Sequence, residues 1–263
     1  MPEYNEYWLF PMLARSRKRL FFVLPLAFFA SAGYAGEITV SAAASLTNAF
    51  REVAQRYEAQ HVDRKVLLNF GGSGALLQQI AKGAPVDVFA SADQETMDKA
   101  QQQGLVAATE RHNFASNALV VVVPADSTLP LKALTDLKKT SVQRIAIGNP
   151  ASVPVGRYTM LALKKAGLQN ALREKTINTQ NVRQSLDYVT RGEVDAGFVY
   201  ATDAGIAADK IRIAFTVPLN TTILYPIALT RSSTNPDEAR AFVQYVLSPE
   251  GQTILARFGF LKP

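Results

Sequence analysis

The chain has 263 residues, 48% of them apolar and only 19% charged, with 15 glycines and 13 prolines. That balance excludes the charge-rich disordered and low-complexity classes and leaves length for one large domain or two modest ones. Cysteine is absent and histidine is limited to His61 and His112, which excludes thiolate nucleophiles, disulfides and Cys- or His-rich metal sites, while the net charge of +6 must be located before it says anything about partners.

In chain order, the first feature is a leader. Arg15, Arg17, Lys18 and Arg19 precede a nearly unbroken apolar run over 20–30, followed by the small-residue stretch Ser31-Ala32-Gly33-Tyr34-Ala35. Basic segment, apolar segment and small-residue exit, in that order, are the pattern of a cleavable secretory signal peptide. The run is short of the roughly 20 apolar residues a membrane span needs and contains Pro25, so residues 1–35 are read as a signal peptide cleaved after Ala35. Removing it takes away four clustered cations. The rest of the chain has a mild positive excess with cations and acids interleaved, so nucleic acid is not an expected partner.

From Glu37 short β-branched runs alternate with helical patterns. Strands are predicted at 38–40, 66–68 and 86–90, with helices at 46–59, 75–82 and 94–103 between and after them, the last ended by Gly104. An apolar run over 118–123 closed by Pro124 reads as a buried strand. Next come a helix at 131–139, a strand at 145–147, helices at 155–166 and 182–191 stopped by Gly167 and Gly192, and a buried strand at 197–200. Strands at 211–217 and 223–229 precede one or two closing helices over 236–258, broken at 248–251. The rhythm predicts an α/β fold of two lobes with a ligand cleft between them: 36–117 and the returning segment 223–263 form one lobe and 118–222 the other, with two crossing strands as a hinge.

Four turns carry the chemistry. Ser41 to Asn48 joins the first strand to the first helix through small residues, with Ser45 placed as a helix N-cap. Gly71-Gly72-Ser73-Gly74 joins the second strand to the second helix. Asn149 to Gly156 and Asn178 to Val182 precede two later helices. Each offers free N–H groups and a positive dipole end at the carboxyl edge of a sheet, so together they suit a small anion held without a cationic side chain. The second turn is neither a nucleophile elbow, a dinucleotide fingerprint nor a P-loop, because Ala75 replaces the last glycine of the first and the other two lack their closing residues. Asp93 reads as a helix cap, Asp87 as a structural hydrogen-bond acceptor toward the cleft loops, Glu193 and Asp195 as turn residues, and both histidines as surface residues.

Several segments together, Glu37-Ile38-Thr39-Val40 into Ala42-Ala43-Ala44-Ser45-Leu46-Thr47, Gly83-Ala84-Pro85-Val86-Asp87-Val88-Phe89-Ala90-Ser91-Ala92-Asp93, Asn117 to Val122, Val153-Pro154-Val155-Gly156 with Tyr158, Gly197-Phe198-Val199-Tyr200 with Asp203, and Tyr225-Pro226-Ile227, give the chain a resemblance to the periplasmic molybdate-binding proteins of molybdate ABC transporters. It covers essentially everything after the leader, in the family's order.

The resemblance implies a type II periplasmic binding fold, a monomer whose ligand is molybdate or tungstate and whose partner is the membrane permease of the importer. It implies no catalysis and no cofactor, the metal arriving only as the centre of the oxyanion and touching no side chain directly. It assigns hydroxyl donors to Ser45 and Ser73, backbone donors to the loops of Val155 and Val182, and a closing hydroxyl to Tyr200. Two departures stand out: Gly72 and Gly74 flank Ser73 where relatives often carry hydroxyls, and Val155 stands where alanine is common. A fully deprotonated dianion suits an all-donor site, whereas a protonated phosphate would set donor against donor. The alternatives are a sulfate or other oxyanion receptor on the same fold, and a secreted hydrolase using Ser45 or Ser73 with His61 or His112 as base.

Overall fold

The computed structural model describes residues 36–263; the expected signal peptide and its cleavage point lie outside the described residues. Two five-stranded mixed sheets with helices against them make two lobes. The first half runs β1 (Gly36–Ala43), a 3-10 turn (Ala44–Leu46), α1 (Thr47–Gln60), β2 (Arg64–Gly71), α2 (Ser73–Ala81), β3 (Val88–Ala90), α3 (Gln94–Gln102) and β4 (Val106–Asn117). The chain then crosses into β5 (Leu119–Pro124), a 3-10 turn (Leu134–Lys138), β6 (Ile145–Gly148), α4 (Pro154–Lys165), α5 (Gln169–Leu172), β7 (Thr176–Thr179), α6 (Val182–Thr190), β8 (Ala196–Tyr200), α7 (Ala201–Ile206) and β9 (Ile211–Thr216). It returns through β10 (Ile223–Thr230) and ends in α8 (Pro236–Leu247) and α9 (Pro249–Arg257).

The sheets have the orders β2-β1-β3-β10-β4 and β7-β6-β8-β5-β9. In each, three parallel strands linked by helices are followed by an antiparallel pair, and one strand of that pair is the crossing element. Because the parallel strands of both sheets end in turns leading to helices, each lobe presents a row of helix starts at its carboxyl edge. Both crossings, Asn117 to Leu119 and Thr216 to Ile223, are short.

Strand β5, inside the second sheet, is apolar on both faces. Val120 to Val123 of β5 are at most 1% exposed, and burying each such side chain stabilises the fold by about 1.5–3 kcal/mol. Pro226 sits within β10, an interior strand, where a missing N–H is tolerated because the register with β4 shifts between Tyr225 and Pro226. Its carbonyl still accepts from Ser91 N at 2.9 Å.

Three local readings are corrected. The expected helix at 131–139 is a 3-10 turn over Leu134–Lys138, with the Asp136 carboxylate accepting from Lys132 N and Ala133 N at 2.8 and 3.1 Å, which holds the segment as a tight turn. Asp87 does not reach the cleft loops; it accepts from Thr39 N and Ser233 Oγ, both at 2.7 Å, tying β1 to the segment after β10. Ser45 is no N-cap: it lies inside the first 3-10 turn, and its hydroxyl goes elsewhere.

Candidate functional site

The four turns converge. Ala43 to Ser45, Gly71 to Ser73 and Ala92 from the first lobe, with Val153 to Val155, Val182 and Tyr200 from the second, line one small cavity of about 10 Å3. All five residues singled out in the sequence, Ser45, Ser73, Val155, Val182 and Tyr200, are in this lining. The lining contains no histidine, carboxylate, lysine or arginine.

Its chemistry is that of donors. Val155 and Val182 lie in the first turns of α4 and α6, whose N–H groups have no acceptor within their helices. Pro154 supplies no N–H and no side chain caps α4, while Asn181 caps α6 through Gln184 N at 3.0 Å, two residues beyond Val182. Ser73 Oγ, fully buried, accepts from Ala92 N at 3.1 Å, which leaves its own proton for another acceptor. Ser45 Oγ lies 3.0 Å from the hydroxyl of Tyr225. Tyr200 is 1% exposed and its hydroxyl has no hydrogen-bond partner. Burial raises its pKa well above the usual value, keeping the phenol protonated. A buried hydroxyl without an acceptor costs stability, which a ligand accepting its proton would recover.

Charges sit behind the lining. Arg157, on α4, places Nε 2.7 Å from Asp93 Oδ2 and donates to Thr96 Oγ1 at 2.6 Å, both on the other lobe. Asp93 is also the expected cap of α3, accepting from Thr96 N. Arg183, on α6, donates to Asn48 Oδ1 at 2.9 Å and Ser45 O at 3.3 Å across the cleft, with Nε 2.7 Å from the fully buried Asp203 of its own lobe, in contact but not aligned as a hydrogen bond. Burial pushes the Asp203 carboxyl up, to about 6, with Arg183 opposing the shift. Both arginines therefore face carboxylates and are absent from the cavity.

The lobes also touch through backbone. Gly74 N donates to Ser152 O at 2.9 Å, and a Cβ on Gly74 would lie 2.8 Å from that same oxygen. A Cβ on Gly72 would come within 2.7 Å of Gln180 O. These two glycines, noted in the sequence as a departure from the family pattern, let the second turn of one lobe close on two loops of the other.

Neither histidine reaches the cavity: His61 lies on the Tyr57 ring and against its carbonyl, and His112 pairs with Ile227 between β4 and β10. Among the described residues no group of three or more His, Cys, Asp or Glu could hold a metal ion. The sequence reading gave no role to Tyr225 and Asn117, which stand behind Ser45 rather than in the lining; their signals were polarity within buried strands and their place in the segments that carry the resemblance.

Residues 38–261 match the family of bacterial extracellular solute-binding proteins. The chain belongs to this family. Among curated members, the molybdate-binding protein ModA of Escherichia coli is 37% identical over 245 residues, covering 88% of this chain and 93% of its own. ModA of Mycobacterium tuberculosis is 34% identical over 231 residues, covering 87% and 86%. The solved periplasmic molybdate-binding protein of Azotobacter vinelandii superposes with a TM-score of 0.78 at 27% identity, over 86% of this chain and 99% of that one. As a solute-binding protein of this family, the chain is a receptor and no enzyme, which agrees with a lining that offers Ser45 and Ser73 no general base.

Proposed function

We propose that this protein captures molybdate outside the cytoplasm and delivers it to the membrane permease of an ABC importer, with tungstate accepted equally. The observation that carries the reading is the cavity between the lobes, lined by hydroxyls and helix starts without a cation, in which the Tyr200 hydroxyl is buried and unpartnered. Molybdate at neutral pH is a bare dianion that only accepts hydrogen bonds, so each donor finds a use and none is opposed. The names and coverage of the ModA relatives support the same ligand.

In this reading Ser45 and Ser73 donate from one lobe, Val155 N, Val182 N and the Tyr200 hydroxyl from the other, and the metal centre never touches the protein. The lobes are residues 36–117 with 223–263, and residues 118–222. The chain works as a periplasmic monomer after loss of residues 1–35, and needs no resident cofactor. Calorimetry on protein stripped of ligand tests the reading. Molybdate and tungstate should bind tightly, sulfate much more weakly and phosphate not at all. Binding of sulfate or phosphate with no heat from molybdate would overturn it.

A further inference from the structure

Ser45 is useful to an oxyanion only if its proton points into the cavity, and a hydroxyl rotates freely unless something fixes it. Its neighbour Tyr225 lies on β10, 180 positions away in sequence, with its hydroxyl 3.0 Å from Ser45 Oγ. Either oxygen could donate in that pair. The choice is made one residue further back. Asn117, the last residue of β4, brings Nδ2 within 3.2 Å of the Tyr225 hydroxyl and 2.9 Å of Thr202 Oγ1. Which end of that amide is nitrogen follows from its other contact: Asn117 Oδ1 accepts from Ala118 N at 2.9 Å, and a backbone N–H can only donate.

The directions then propagate. Ala118 N–H donates to Asn117 Oδ1, the Asn117 amide donates to Tyr225, and Tyr225 has its own proton left for Ser45 Oγ. Ser45 keeps its proton for the cavity. Reversing the last pair would leave the Tyr225 proton without an acceptor at a site where Tyr225 is 0% and Ser45 2% exposed, the costly arrangement for a buried donor. We infer that Asn117 and Tyr225 are positioning residues that fix Ser45 as a hydrogen-bond donor to the oxyanion, with the polarity of the chain set by the backbone N–H of Ala118. The inference rests on the proposed function and deepens it. Asn117 stands where the chain first crosses between lobes, and its amide touches Tyr225 of one lobe and Thr202 of the other, so the device is built at the hinge.

The test is a double-mutant cycle read by molybdate calorimetry on the parent, Tyr225→Phe, Ser45→Ala and the double variant. Tyr225→Phe keeps the ring that packs against Phe114, Tyr200 and Phe260. We expect it to weaken binding about three- to tenfold, the range of one neutral hydrogen bond, and to have no further effect once Ser45 is alanine. Asn117→Ala should show the same dependence on Ser45. A Tyr225→Phe protein that binds like the parent, or losses that multiply in the double variant, would overturn the inference. So would loss of the cooperative unfolding transition in Tyr225→Phe, which would make the hydroxyl structural. Failure of the parent itself to bind molybdate would instead sink the proposed function.

Discussion

Ser45 and Ser73 reach the cavity by different local routes but end in the same state, each accepting from a protein donor and keeping a proton to give. Replacing either by alanine should remove one hydrogen bond to a charged group, about 1.5–3 kcal/mol, so calorimetry should find molybdate affinity about tenfold or more weaker with unfolding little changed. The turns around these serines were legible in sequence because small residues between a strand and a helix have few other uses. The partner of Ser45 was not, since nothing local links residue 45 to residue 225, and a serine before a helix reads as a cap until the 3-10 turn is seen. Asp203 gives a second prediction at this scale. Its carboxyl titrates near 6 in the folded protein, above the usual 3.8, because burial disfavours the ionised form. The folded state therefore binds more protons than the unfolded one between those values, and stability from this group is present below about pH 4 and lost as pH rises through about 6. Unfolding midpoints measured across that window should fall with pH more steeply in the parent than in Asp203→Asn; equal slopes would contradict the assignment.

Helix starts, rather than side-chain charges, are the elements that make the site, and their placement follows from two sheets of identical order. That much was legible: β-branched runs spaced by helical patterns, with glycine stops, gave most of the elements in both lobes. The polar strand β4 was not, because its sequence from Val106 to Asn117 mixes half-buried charged residues with polar ones and has no alternation, and it is held as a strand by pairing with β10. The short strand β7 escaped for the same reason, being fixed by its pairing with β6, whereas the 3-10 turn at Leu134–Lys138 was read as a helix because its local Asp136 hydrogen bonds leave no mark in the apolar pattern. At this scale the approach of α2 to the loop before α4 is testable. Gly74→Ala improves helix propensity by up to about 1 kcal/mol, yet its methyl would meet Ser152 O. The ligand-free protein should melt no lower than the parent, while molybdate affinity drops about five- to tenfold through loss of the Gly74 to Ser152 contact on closure. A variant that binds normally would show that the lobes need not meet there.

As a whole, the molecule keeps its cations out of the site: Arg157 and Arg183 span or flank the cleft, but both are held by carboxylates and lobe-to-lobe hydrogen bonds. Binding should then depend little on ionic strength, because short hydrogen bonds inside a closed cavity are not screened over the Debye length of about 8–10 Å that weakens exposed charges. Affinity measured from low to moderate salt, with a bulky anion replacing chloride as a control for competition, should be nearly flat; a steep loss would bring the two arginines into the site. Whether donors from two lobes surround one oxyanion can be seen in a crystal structure of the protein with tungstate, whose metal is located by its anomalous scattering. A single strong peak should lie in the cavity, with oxyanion oxygens in hydrogen-bond contact with Ser45 Oγ, Ser73 Oγ, Val155 N, Val182 N and the Tyr200 hydroxyl. A peak elsewhere, against Arg157 or Arg183 or on the outer surface of one lobe, would contradict that arrangement.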